Sequence, residues 1–323
     1  MLALVAFGSL ALLALLCAAR AMPGRSALER ALTASLVWIA SAVAMVEILS
    51  PLQLIATWPF VLGCAAAGMT AAALAGRPAW ELVGADLRAL RDTMRRVARA
   101  PSSLAVLGVA LVALLLPALA ATLLVPWSWD ALSQHLPLVH DAVSERSLRS
   151  VPSASSLSSG SPHLADVFFV AVRVVLTDDT LVDLVQLPFA VPAVLAIALL
   201  SRMAGAPTSR ALPLATLFLA FPIVALELAS TEVDVAYAAL CLAGLALASV
   251  PGPTRATMLG SGLGLGLALG TTLTAPPLVA AGLALLLWRA HREERLGEGV
   301  LAVAIAFVVG SWKYVENLAR AGS

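Results

Sequence analysis

The residues best suited to chemistry are acids and histidines in or beside one long hydrophilic loop. Asp130 follows directly on a hydrophobic run and has tryptophans beside it, which favour the membrane–water boundary. A carboxylate at that boundary is suited to general-base work. Asp is also a favoured helix N-cap, so Asp130 has a second, structural interpretation, and spacing alone favours that one.

Further acids are expected at the same face. Glu232 and Asp234 stand in a turn between two hydrophobic runs, while Asp166 and the pair at 178–179 flank a short apolar stretch, 163–176. Carboxylates that converge on one membrane face suit proton abstraction, a divalent metal ion or the binding of sugar hydroxyls. Taken singly, each acid also fits a solvated loop charge.

The histidines do not form a zinc motif with Asp130. His135 and His140 are five residues apart, which does not place both imidazoles on one face of an α-helix, and no cysteine joins them. Zinc sites usually need three or four converging ligands, so we assign no metal ligand from the sequence. The sequence leaves open whether the acids bind a divalent metal ion as a cofactor.

Hydrophobic helices must position these groups. Of the 323 residues, 61% are apolar and 12% are charged, whereas soluble domains carry about 25% charged residues. The net charge of +1 creates no global field for nucleic acid. The composition predicts an all-α polytopic membrane protein, with roughly nine or ten helices that cross or enter the bilayer. The apolar runs lie near 2–19, 31–49, 54–75, 103–126, 180–200, 211–229, 235–250, 256–271, 275–288 and 299–312.

The arginines predict the orientation of these helices. They cluster in alternate loops, provided that 163–176 does not cross the bilayer. That stretch carries Arg173 in its middle, so we expect an interfacial or re-entrant helix. The positive-inside rule then puts the arginine loops in the cytoplasm and the acids on the extracytoplasmic face. Segment 80–99 has apolar residues at helical spacing among arginines, which predicts an amphipathic anchor on the cytoplasmic leaflet.

A glycine-rich run in the eighth apolar segment predicts close helix packing. No strand precedes it, which argues against a nucleotide-binding motif. Small residues let two helix backbones approach closely in lipid. The residues are Gly260, Gly262, Gly264, Gly266 and Gly270.

Four strings in order resemble those of one family. Residues 129–137, W-D-A-L-S-Q-H-L-P, are similar to the W-D-A-L-x-Y-H-L-P string of bacterial membrane glycosyltransferases with the GT-C fold, in the protein O-mannosyltransferase and aminoarabinose transferase group. Residues 161–166, S-P-H-L-A-D, resemble a later part of the same external loop. Residues 229–234, A-S-T-E-V-D, resemble an A-S-T-Q-N-D turn. Residues 313–323 resemble a Y-x-R-N-x-x-x-T-G-N motif.

The resemblance implies a GT-C type helical bundle over residues 103–323, with an external loop at 127–179 and with 1–102 as added N-terminal helices. It implies sugar transfer from a polyprenyl-phosphate donor to a lipid or glycan acceptor, at the extracytoplasmic face of a bacterial inner membrane. Asp130 would activate or orient the acceptor hydroxyl. The implied substrate-binding residues are His135, His163, Asp166, Glu232, Asp234, Lys313 and Arg320.

The strings also depart from the family pattern. Gln134 replaces an aromatic residue, Glu232 and Val233 replace a Gln-Asn pair, and residues 270–272 lack the lysine that relatives often carry there. The chain also ends where relatives continue. A shortened or truncated non-catalytic GT-C-like subunit is therefore an open alternative. A transporter or flippase is a weaker one, because no polar midplane or internal repeat stands out.

Overall fold

A computed structural model of the chain describes residues 1–123, 128–148, 162–176 and 181–321, without the side chains of Arg320 and Ala321. These residues form helices and no strand. The first helices are α1 (Leu2–Ala21), α2 (Ala27–Leu49), α3 (Thr57–Leu74), α4 (Gly76–Ala98), α5 (Pro101–Leu123), α6 (Leu136–Ser144) and α7 (Leu164–Leu176). The rest are α8 (Ala190–Met203), α9 (Thr208–Thr216), α10 (Pro222–Glu227), α11 (Asp234–Ser249), α12 (Arg255–Leu269), α13 (Pro276–Arg292), α14 (Leu296–Gly310) and α15 (Trp312–Ala321).

Within the described residues, five helical segments are long and apolar enough to cross a membrane. A sixth is possible if α14 and α15, which meet at a bend of 59°, count as one. This is fewer than the nine or ten helices expected to cross or enter the bilayer. The five segments are Leu2–Ala21, Ala27–Leu52, Thr57–Leu74, Pro101–Leu123 and Val182–Met203.

The difference has a local cause in the apolar run at 211–229. Pro222 lacks a backbone N–H, and the residue before a proline avoids the helical region. Phe221 is accordingly extended (φ −66°, ψ 125°), which separates α10 from the helical turn before it. The helices α11 and α12 have 16 and 15 residues, short of the roughly 20 that a spanning helix needs.

Helix α7 lies across one end of the bundle. The backbone N–H of Leu164 donates to Gly270, just after α12 (2.8 Å), and the Thr57 hydroxyl at the start of α3 donates to the Val174 carbonyl (2.7 Å). Thirteen residues rise only about 20 Å. Phe168 and Phe169 are fully buried against Phe189. The stretch 163–176 is therefore not a full span, as predicted, and protein rather than lipid covers it.

The opposite end contains arginines from the last turns of helices and from the loops between helices. Arg25 donates to the Gly252 carbonyl (2.7 Å), Arg289 to the Val250 carbonyl (2.9 Å) and Arg20 to the Leu74 carbonyl (2.5 Å). The prediction that these arginines share one end of the bundle is confirmed for Arg20, Arg25 and Arg289. We call this the arginine end, and the end that carries Asp130 the carboxylate end. Which end faces the cytoplasm remains a prediction.

The glycines of α12 pack closely on α14. A Cβ on Gly262 would collide with the carbonyl oxygen of Ala302. A Cβ on Gly266 would lie 2.7 Å from the carbonyl oxygen of Ala306. The predicted packing role is confirmed for these two glycines. One hydrophobic cluster contains residues from both 1–102 and 103–323, including Phe60 and Phe168.

Candidate functional site

The loop after α5 enters the site through one π-helical turn, Ala131–His135. Leu136 donates its N–H to the carbonyl of Ala131, five residues earlier in the chain. This wider turn brings residues five apart closer together than an α-helix does. The charge of Asp130 acts on His135, so the two side chains lie on the same side of this turn.

Asp130 does not cap this turn with its side chain. Its backbone is helical (φ −68°, ψ −38°), and its carboxylate makes no capping hydrogen bond. The N-cap interpretation is wrong, because the Ser128 hydroxyl accepts the Ala131 N–H instead (3.5 Å). The Asp130 side chain is exposed and accepts a hydrogen bond from Gln134 Nε2 (3.3 Å). Its carboxylate is therefore accessible to a ligand.

His135 is paired with Asp166. Nδ1 of His135 lies 2.7 Å from Oδ1 of Asp166, which is in the first turn of α7 and only 3% exposed. Burial lowers the pKa of His135, but the charge and hydrogen bond of Asp166, with the charges of Asp130 and Glu232, together raise that pKa above 6.5. The pair thus favours an imidazolium held by carboxylates.

The turn before α11 joins the same group. The Ser128 hydroxyl donates to Oε1 of Glu232, which ties the loop after α5 to this turn. Asp234 begins α11. Its pKa is raised by burial and by the charges of Glu232 and Asp130, while His135 opposes the rise. We call Asp130, His135, Asp166, Glu232 and Asp234 the acidic cluster.

Glu227 adds a carboxylate that the sequence analysis did not assign. One carboxylate oxygen each from Glu227, Glu232 and Asp234 lies within 4.8 Å of the others. Burial and the neighbouring Glu232 and Asp234 raise the pKa of Glu227 to about 8. Oxygens around a calcium ion at 2.3–2.6 Å can be up to about 5 Å apart, so these three could hold a divalent cation. The only sequence signal for Glu227 was an acid near the end of an apolar run.

Buried polar side chains fix the turn between α10 and α11. Gln186 is fully buried; its Nε2 donates to the Glu227 carbonyl (2.8 Å), and its Oε1 accepts the N–H of Ala236 (3.2 Å). Thr231, also fully buried, donates to Oδ1 of Asp183 (2.7 Å). These bonds satisfy backbone and side-chain groups that an irregular buried segment would otherwise leave unpaired. Neither Gln186 nor Asp183 stood out in the sequence.

The remaining predicted substrate-binding residues are Lys313, His163 and Arg320. Lys313 is buried at the carboxylate end, but its ammonium group donates to Glu316 (2.9 Å). His163 directly precedes α7. The side chain of Arg320 and the acids at 178–179 lie outside the described residues.

The acidic cluster can take a proton from a hydroxyl group, hold a proton on His135 and bind a cation or several hydroxyls. It lies at one end of a bundle of apolar helices, which is where a lipid-borne molecule would meet water. No protein-family model, curated protein or solved structure matches the chain significantly. The resemblance to GT-C glycosyltransferases therefore rests on the four sequence strings and remains a prediction.

Proposed function

We propose that the chain is a membrane glycosyltransferase that moves a sugar from a polyprenyl-phosphate donor to a hydroxyl acceptor at the carboxylate end. The observation that carries this proposal is the convergence of Asp130, the His135–Asp166 pair, Glu232 and Asp234 at that end. Three of the four family-like strings contain all five of these residues. A lipid-linked donor arrives in the plane of the bilayer, so its reacting group sits at helix ends rather than at the midplane.

In the proposed reaction the acceptor oxygen attacks the anomeric carbon of the sugar. The bond between this carbon and the phosphate oxygen breaks, and polyprenyl phosphate leaves with the bonding electron pair. Asp130 takes the proton of the acceptor hydroxyl as the new glycosidic bond forms. Its exposed carboxylate suits this role, because the acceptor must reach it from the aqueous side.

The leaving phosphate needs positive charge next to the acids. His135 provides it when protonated, and the carboxylates of Asp166, Asp130 and Glu232 favour that protonated state. A divalent cation on Glu227, Glu232 and Asp234 would provide more, and it would also relieve the repulsion among them. Without such a cation, the raised pKa of Glu227 favours a proton there. Lys313 is already paired with Glu316 and is not given this role.

The test reconstitutes the purified chain in lipid vesicles that contain polyprenyl-phosphate sugar with a radiolabelled sugar. The readout is the label transferred to added lipid or glycan acceptors, together with release of polyprenyl phosphate. Parallel samples contain EDTA, Mg²⁺, Mn²⁺ or Ca²⁺. Transfer that depends on the chain would support the proposal, and the metal series would separate a metal-assisted reaction from one that needs protons alone.

Two outcomes would contradict the proposal. Binding of the donor without any cleavage, in every metal condition and with every acceptor, would favour a non-catalytic subunit. Movement of intact donor between the two leaflets would favour a flippase.

A further inference from the structure

A cavity of about 480 Å³ lies at the arginine end, far from the acidic cluster. Its walls come from the ends of α1 and α2, from the amphipathic helix α4, and from α8 and α9 where the chain reverses between them. None of the residues that line this cavity has a role in the proposed glycosyl transfer.

The apolar part of the wall is not filled by protein. Leu87 is 58% exposed and Leu90 is 50% exposed, although both belong to the apolar face of α4. Leu195 and Leu212 line the cavity opposite them. An amphipathic helix normally buries its apolar face in the boundary between headgroups and acyl chains. The unfilled space beneath α4 therefore fits hydrocarbon.

The polar part of the wall has an excess of positive charge. Three arginines face the cavity with two aspartates. Arg30 and Asp86 neutralise each other through two hydrogen bonds (2.7 and 2.5 Å). Asp92 lies near Arg91 (3.5 Å) and Arg95 (3.8 Å), neither of which lines the cavity.

Two arginines remain to bind an anion. Arg96 donates one hydrogen bond to the Thr93 hydroxyl (3.0 Å), and Arg202 has no ion pair within the described part of the chain. Both side chains are exposed at the cavity. Thr208 begins α9, and the first amides of a helix lack intrahelical acceptors and favour anions. Guanidinium groups match the geometry of phosphate.

We infer that this cavity binds one anionic phospholipid, with its phosphate between Arg96 and Arg202 and an acyl chain along Leu87, Leu90 and Leu212. The combination of an apolar wall with two unneutralised arginines matches an anionic lipid better than a zwitterionic one. This site is independent of the proposed glycosyl transfer. The bound lipid would contact α4 on one side and the hairpin of α8 and α9 on the other, and would so stabilise their packing.

The test measures lipid binding to delipidated protein in nonionic detergent by native mass spectrometry. Dioleoyl-phosphatidylglycerol is compared with dioleoyl-phosphatidylcholine, which has the same acyl chains. We expect one phosphatidylglycerol to bind about tenfold or more tightly than phosphatidylcholine, a difference of about 1.4 kcal/mol, because cations near an anionic headgroup favour its binding. Equal binding of both lipids would overturn the inference.

The variants separate this cavity from general surface charge. Arg96→Gln with Arg202→Gln should lose the preference for phosphatidylglycerol. The control pair, Arg88→Gln with Arg99→Gln, removes two charges from exposed positions that do not line the cavity and should keep the preference. An equal loss in both pairs would show that only surface charge matters and would overturn the site.

Two further arms examine the acyl chain. Leu90→Trp fills the cavity without changing charge and should weaken phosphatidylglycerol binding at least fivefold. Binding unchanged in this variant would place the lipid elsewhere. Glycerol 3-phosphate, a soluble headgroup, should not displace the lipid at millimolar concentration; full displacement would identify a site for free phosphate compounds instead.

Discussion

The imidazole Nδ1 of His135 lies 2.7 Å from the Asp166 carboxylate, although the two residues belong to different helical segments and are 31 positions apart. This bond fastens the π-helical turn after α5 to the buried helix α7. It therefore fixes the segment that carries Asp130 to a helix whose side chains are mostly buried.

The first prediction concerns the protonation of His135. Asp166→Asn removes the strongest influence that raises the pKa of this histidine, so burial should then lower that pKa. Nuclear magnetic resonance of labelled histidine should show the His135 titration moving to lower pH. An unchanged titration would contradict the electrostatic role of Asp166. Asp141→Asn on α6 is the matched control.

The same pair predicts a pH dependence of stability. Because the folded-state pKa of His135 is raised, its stabilising contribution is fully present below pH 6.5 and is lost as the pH rises through the folded pKa. The unfolding temperature of the wild type should therefore fall from pH 6 to pH 8. In Asp166→Asn this fall should be smaller. Equal slopes in both proteins would rule out a contribution from this pair.

Glu227→Gln should remove a destabilisation of the fold that increases with pH. A carboxyl group whose folded-state pKa is raised to about 8 destabilises the protein increasingly between pH 4.5 and 8, because ionisation is easier in the unfolded chain. Without added metal, the variant should unfold at least about 2 °C higher than the wild type at pH 8, and at the same temperature at pH 4.5. The exposed Glu293→Gln is the control.

Divalent metal provides a second result from the same variant. If the three carboxylates bind a cation, metal should raise the unfolding temperature of the wild type, and Glu227→Gln should reduce that rise. Metal effects that are equal in both proteins would exclude this cluster as the binding site.

Gly262→Val should destabilise the contact between α12 and α14. The added Cβ meets the Ala302 backbone, which cannot move aside as a flexible side chain could. Overpacking of this kind costs about 1–3 kcal/mol. Gly108→Val on α5 places the same side chain in a helix with nothing within 4 Å of the Cβ and should cost much less. Unfolding followed by circular dichroism in detergent measures both.

Composition and periodicity were enough to predict the helical class, and the arginines predicted which loops share an end. They could not predict how many helices are long enough to span, because that number depends on local breaks such as the one at Pro222. The burial of α7 could not be predicted either, because its apolar sequence fits a lipid environment and a protein interior equally well.

The site was predicted in part. Asp130, Glu232 and Asp234 were assigned to one face from the alternation of loops. The π-helical turn was missed because a side-chain pattern of so few residues does not reveal a change of helical period. Gln186 and Asp183 were missed because their importance comes from three-dimensional contacts rather than from spacing.

The most direct test of the central proposal is the initial rate of sugar transfer from polyprenyl-phosphate sugar in vesicles, measured for the wild type, Asp130→Asn and Asp141→Asn. Asparagine keeps the size of the side chain and removes the base. With equal amounts of folded protein, Asp130→Asn should lose about 100-fold or more of the rate, while Asp141→Asn, on α6 of the same loop, should keep it. Equal rates in all three proteins would contradict the role of Asp130 as base, and no transfer by the wild type would contradict the enzyme itself.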